Sequence, residues 1–266
     1  MSQNYEYLPV GVHGKNIPTD DRMLIVLQFW EGDKAAAMKN ARLVADLVPR
    51  REDKVDFLFS ARFDCTHDKA TVEYVSRKFN TRTFINSNRR LSGWPGGCNE
   101  LFFGSVDFIY SLIQSGKMPP YKAILFFEAD GYPLTPSWLR ELSSQWDRFY
   151  ARGARIIGHR IPPGPPESGG LHINGNCLIS GDFEFLHWLS RKLGGCTAQG
   201  GWDYVLAPLF KQRGWADCPA MKSYWHAPTM ERAFFDKILA DGVVFSHGVK
   251  DDSVIRLVRE RYLLGS

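Results

Sequence analysis

Over most of the 266-residue chain, apolar runs of strand length alternate with stretches whose apolar residues recur every three or four positions. That alternation predicts an α/β fold with a largely parallel central sheet flanked by helices. The run MLIVLQFW (23–30) is continuously apolar and predicts a buried first strand. Ala37, Ala41, Val44 and Leu47 fall at helical spacing, so a helix is predicted over 34–47. VDFLFSARFD (55–64) predicts the second strand, 69–79 the helix after it, and TRTFINSN (81–88) the third strand. LSGWPGGCN (91–99) is too dense in glycine and proline for a regular element, and predicts a loop opening into a helix over 100–115. YKAILFFEAD (121–130) predicts the fourth strand, whose apolar interior ends in two acids.

The second half departs from a regular repeat. A helix over 137–152 and a strand over 155–159 precede IPPGPPESGG (161–170), which predicts a mobile flap. HINGNCLIS (172–180) predicts a strand, followed by two helices at GDFEFLHWLSRKL and WDYVLAPLFKQRG. VVFSHGVK (243–250) predicts the strand that ends the core, and DDSVIRLVRERYLL a terminal helix capped by Asp251 or Asp252. No internal repeat is present, and the length favours one domain over 23–266 behind a tail over 1–22.

Composition narrows the class. With 44% hydrophobic and 23% charged residues, the chain is globular and extended disorder is confined to the tail. The first 22 residues lack a basic start and an apolar run, so no signal peptide is expected, and no stretch has the length of a membrane span. Five cysteines (Cys65, Cys98, Cys177, Cys196, Cys218) without C-x-x-C spacing argue against a disulfide framework and a structural zinc site. A cytoplasmic protein with reduced thiols is expected. A net charge of +4 permits an anionic ligand but does not by itself indicate nucleic acid. The 8 tryptophans serve a core, though rings also stack on sugars and bases.

Chemistry enters at Glu128-Ala129-Asp130. Acids two apart on an extended segment project to one side, so both can approach a single cation, and open α/β sheets bind ligands at the carboxyl ends of their strands. His247 follows the apolar Val243-Val244-Phe245 and is placed to add an imidazole to the same metal. Gly248 and Lys250 would bring a backbone and a cation to an anion. Asp203, behind two glycines at a helix start, is either a first-turn acid or a carboxylate facing an acceptor. His172, Asn174 and Asn176 share one face of a strand and either bond sugar hydroxyls or form a bulge with their glycines, and Trp202, next to Asp203, is a further candidate to meet the acceptor or sugar. Trp94 and Asn99 flank a glycine-rich loop that suits a donor near a helix start.

Together these motifs resemble the GT-A glycosyltransferases, the superfamily of nucleotide-diphospho-sugar transferases, in its compact bacterial and viral members. The resemblance spans roughly 23–253 in order of elements. It implies a single Rossmann-type domain, a nucleotide-sugar donor such as a UDP-sugar, and Mn²⁺ or Mg²⁺ as cofactor. By resemblance Asp130 binds the metal directly, Glu128 contacts the donor's ribose or a metal-bound water, and His247 and Lys250 complete the metal and diphosphate site. Asp203 matches a later acid loosely, as the candidate catalytic carboxylate. The implied acceptor is a hydroxyl on a glycan or on a modified nucleobase in DNA. Rival readings are a sugar nucleotidyltransferase, which wants a glycine-rich, arginine-bearing loop where Gln28 to Lys34 offers one glycine, and a carbohydrate- or nucleic-acid-binding module, which leaves the strand-end acids without purpose. A dinucleotide-binding dehydrogenase lacks its G-x-G-x-x-G.

Overall fold

The computed structural model describes residues 20–87, 91, 93–162, 171–192, 200–225 and 227–264. Its strands, in chain order, are β1 (Asp20–Phe29), β2 (Val55–Arg62), β3 (Asn80–Asn86), β4 (Tyr121–Glu128), β5 (Gly131–Pro133), β6 (Ile156–Ile161), β7 (His172–Ser180), β8 (Trp215–Asp217), β9 (Met221–Ser223) and β10 (Phe245–His247). The helices are α1 (Lys34–Asp46), α2 (Lys69–Ser76), α3 (Gly96–Gln114), α4 (Trp138–Tyr150), α5 (Phe183–Lys192), α6 (Trp202–Val205), α7 (Ala207–Arg213), α8 (Arg232–Ala240) and α9 (Ser253–Tyr262). Seven strands form one sheet in the order β3-β2-β1-β4-β7-β6-β8, and β5-β10-β9 form a second.

Both faces of the large sheet are covered, which is why its central strands read as unbroken apolar runs. From β1, Met23, Ile25, Leu27 and Phe29 point into one core with Ala41 and Val44 of α1, Trp138 and Trp146 of α4, Phe235 of α8 and Val254 of α9. Leu24 and Val26 point into the other, with Phe102 and Val106 of α3, Leu186 of α5 and Phe210 of α7. Each such valine, leucine, isoleucine, methionine or phenylalanine side chain, fully buried, contributes about 1.5–3 kcal/mol. Pairing is parallel from β3 through β4, whereas β7 runs antiparallel to both β4 and β6. The chain leaves β1 toward β2 and β3, then returns to lay β4 on the other side of β1. A switch of direction of this kind opens a crevice at the carboxyl ends of β1 and β4.

Three expectations are corrected. The strand expected to end the core, 243–250, is shorter and sits in the small sheet, because β7 already fills the place beside β4. The helix expected over 202–214 is two, α6 and α7, with Pro208 in the first turn of the second, where a missing N–H costs least. Helix α8 was not anticipated. The tail through residue 19, the flap from 163 to 170 and Cys196 lie outside the described residues. Among the described residues, no helix is long and apolar enough to cross a membrane.

Candidate active site

The acids at the end of β4 sit on a turn gripped from three directions. Pairing of β4 with β7 stops at Phe126 and Cys177, and the next strand-end N–H, that of Glu128, donates instead to Asn176 Oδ1 at 2.9 Å. From α1, Asn40 Nδ2 donates to the carbonyls of Ala129, at 3.3 Å, and of Gly131. The Gly248 N–H donates to the Asp130 carbonyl at 3.2 Å. Two glycines permit this close packing: a Cβ on Gly131 would stand 2.6 Å from Asn176 Oδ1, and Gly248, at φ +104°, would meet the Trp225 backbone nitrogen at 2.9 Å.

Antiparallel pairing of β10 with β5 sets His247 opposite Gly131 and so brings its ring to the acids. His247 Nε2 lies 3.3 Å from Asp130 Oδ1 and 3.4 Å from Glu128 Oε2. Ligand atoms of all three residues fall within 4.8 Å of one another. The imidazole and Asp130 are buried, while Glu128 is 46% exposed and opens the group to the cleft. Although close to both acids, neither ring nitrogen of His247 makes an aligned hydrogen bond. A buried ring nitrogen aimed between two carboxylate oxygens suits a divalent cation of the Mn²⁺ or Mg²⁺ kind. Burial alone would lower the proton affinity of His247, but the two carboxylates override it and push the pKa up to about 9. Burial would raise Asp130, yet His247 and Lys250 hold it well below the usual carboxylate range. The Lys250 ammonium pairs with the second oxygen of Asp130.

The opposite wall starts from an irregularity in β7. Between the pairs Gly158–Cys177 and Arg160–Ile173, β6 spends one residue, His159, and β7 spends Asn174, Gly175 and Asn176. The bulge frees backbone that a regular ladder would use. The Gly175 N–H donates to Asp203 Oδ2 at 3.0 Å, and Asp203 Oδ1 accepts from the Tyr204 N–H at 3.0 Å. His172 Nε2 stands 3.9 Å from Asp203 Oδ2, beyond hydrogen-bond reach. Burial raises the Asp203 carboxyl; His172 opposes the rise and the charge of Glu128 adds to it.

Several residues expected at ligands make bonds within the fold. Asn99 was expected to meet a donor, but it is buried, with Nδ2 donating to the Gly200 carbonyl at 2.9 Å and Oδ1 accepting the Trp202 N–H at 2.7 Å. It fastens α3 to the start of α6. Trp202, expected to meet a sugar, is 6% exposed and stacks flat on Phe102, centroids 3.5 Å apart. Gly248 spends its N–H on Asp130, so that group is not offered to an anion. Asn174 Oδ1 accepts the Asn176 N–H, and Asn176 Oδ1 accepts the Glu128 N–H, so the oxygen of each amide bonds backbone. Trp94, by contrast, is 80% exposed on the loop before α3.

Three neighbours escaped the sequence. Asp33, just before α1, has its carboxyl pushed up to about 6 by burial, then by the charges of Glu128 and Asp130. Trp225 packs its ring perpendicular to His247, centroids 5.7 Å apart, and stays 41% exposed at the cleft. Asn40 is the third. Its signal was present in the sequence, as the one amide on a helix face otherwise made of Ala37, Ala41 and Val44.

No family model and no curated protein matches the sequence. Solved structures do. The bifunctional glycosyltransferase WbbM, in its apo form, aligns over 90% of this chain with a TM-score of 0.55 and 11% identity. The chain spans half of WbbM's length, 50%. The galactosyltransferase LgtC, solved with donor and acceptor sugar analogs, aligns over 90% of this chain and 96% of its own, with a TM-score of 0.50 and 12% identity. At such identities the likeness is one of fold: the chain has the GT-A architecture of these glycosyltransferases.

Proposed function

We propose that this chain moves a sugar from a nucleotide-diphosphate donor, a UDP-sugar, to an acceptor hydroxyl, with Mn²⁺ or Mg²⁺ held by Asp130, His247 and Glu128. The observation that carries the reading is the convergence of those three side chains at the direction switch of a GT-A sheet. The bound cation supplies positive charge for the diphosphate leaving group. Lys250, already paired with Asp130, adds a second positive charge on the same wall. Asp203 faces the acceptor from the other wall. Its raised proton affinity suits a group that holds or takes the proton of an attacking hydroxyl.

A glycan hydroxyl is the proposed acceptor. Arg62, Lys222 and Lys250 each face a carboxylate, of Asp64, Asp217 and Asp130 respectively, a poor track for a phosphate backbone. LgtC, of like fold, was solved with an acceptor sugar analog.

The test is release of UDP from UDP-sugars with Mn²⁺ and with EDTA. Asp130→Ala and EDTA are each expected to slow release by at least about 100-fold. Undiminished release under either condition overturns the reading, and pyrophosphate release from a nucleoside triphosphate points to a nucleotidyltransferase.

A further inference from the structure

We propose that Asn40 and Asn176 are positioning residues that clamp the turn from Glu128 to Gly131 and thereby set the cation affinity of the acids on it. The inference rests on the metal reading above. Asn40 is fully buried on the apolar side of α1, where an amide is unfavourable unless it bonds. It bonds on one side only: Nδ2 reaches the carbonyls of Ala129 and Gly131, on either side of Asp130, and Oδ1 has no partner. Asn176, 2% exposed, shows the same one-sidedness in mirror image, with Oδ1 on the Glu128 N–H and Nδ2 without a partner. In both residues the half of the amide turned to the acids is engaged and the other half is not.

The two hold the turn by opposite chemistry. Asn40 is a donor to carbonyls, approaching from the helical layer, and Asn176 is an acceptor for an N–H, approaching from the neighbouring strand. Between them Glu128 and Asp130 keep a fixed separation while His247 arrives from β10. Groups that fix ligand geometry without touching the ion govern its affinity.

Aspartate at either position adds the same charge with nearly the same shape, which makes a discriminating pair. Asn176→Asp keeps the acceptor for the Glu128 N–H. Asn40→Asp replaces a donor with an acceptor pointing at two carbonyl oxygens. Mn²⁺ binding to the full chain, read from the electron paramagnetic resonance of free Mn²⁺, is expected to weaken about 10-fold in Asn40→Asp and to hold in Asn176→Asp.

If the added charge alone matters, both variants bind more tightly, and the clamp is wrong. If Asn40→Asp lowers the unfolding midpoint but leaves the Mn²⁺ affinity unchanged, Asn40 is merely structural and the clamp is equally wrong. Should Asn40→Asp not fold, Asn176→Leu set against Asn176→Asp decides: the leucine variant is expected to bind about 10-fold more weakly, and equal affinities overturn the proposal. Asp130→Ala separates the two readings. Wild-type Mn²⁺ affinity in that variant sinks the metal site and the clamp together. Lost affinity there, with intact affinity in Asn40→Asp, sinks the clamp alone.

Discussion

A buried imidazole between two carboxylates attracts protons for the same reason that it attracts a cation. With its pKa pushed up to about 9, His247 carries a proton at neutral pH, and a metal must displace it. Mn²⁺ affinity is therefore expected to strengthen by up to about tenfold per pH unit between roughly 7 and 9, and to level off above. The metal-free protein behaves in the opposite sense. A group whose folded pKa lies above its ordinary value of 6.5 stabilises the fold fully below 6.5, and that contribution disappears as the pH rises through about 9. Asp130, held below its ordinary 3.8, contributes above that value and loses its contribution as the medium acidifies. Thermal denaturation at pH 6.5 and pH 9, with and without Mn²⁺, reads both effects. A Mn²⁺-induced rise in Tm no larger at pH 9 contradicts the displacement of a proton from His247.

At the scale of elements, Trp202 shows how a short helix is held. Four residues cannot sustain α6 alone, and its place is fixed by the Phe102–Trp202 stack and by Asn99. Trp202→Ala is expected to cost about 3–5 kcal/mol in chemical denaturation while leaving Mn²⁺ affinity in the folded protein unchanged. A change confined to acceptor KM, with stability intact, would restore the sugar contact expected from sequence. Strands whose both faces are buried were legible, because apolar runs such as 23–30 and 121–128 have no other explanation. Asp130 and His247 were legible for a related reason, each standing within three residues of the end of an apolar run. The internal contacts of Asn99, Asn176 and Trp202 were not, since an amide bonded to distant backbone has the same local sequence as one turned to a sugar. The small sheet was hidden as well: three-residue strands such as β5 and β9 are too short to establish a period.

Across the whole molecule, the cleft has two walls that share one support. One carries Glu128, Asp130, His247 and Lys250 and is backed by α1 and the small sheet; the other carries Asp203 and His172 and is backed by α3 and the bulge in β7, whose Asn176 also holds Glu128. The different chemistry of the two groups predicts separable defects. Asp203→Asn is expected to lower sugar transfer about 10²–10⁴-fold while Mn²⁺-dependent donor hydrolysis continues. Equal loss of both activities would place Asp203 with the donor instead.

The small sheet also dates the site within the life of the polypeptide. Every strand of the large sheet precedes β10 along the chain, so a ribosome makes those strands before it makes residue 247. Until that segment emerges and lies down beside β5, the acids of β4 lack their imidazole. The proposed metal site is therefore complete only once residue 247 is in place.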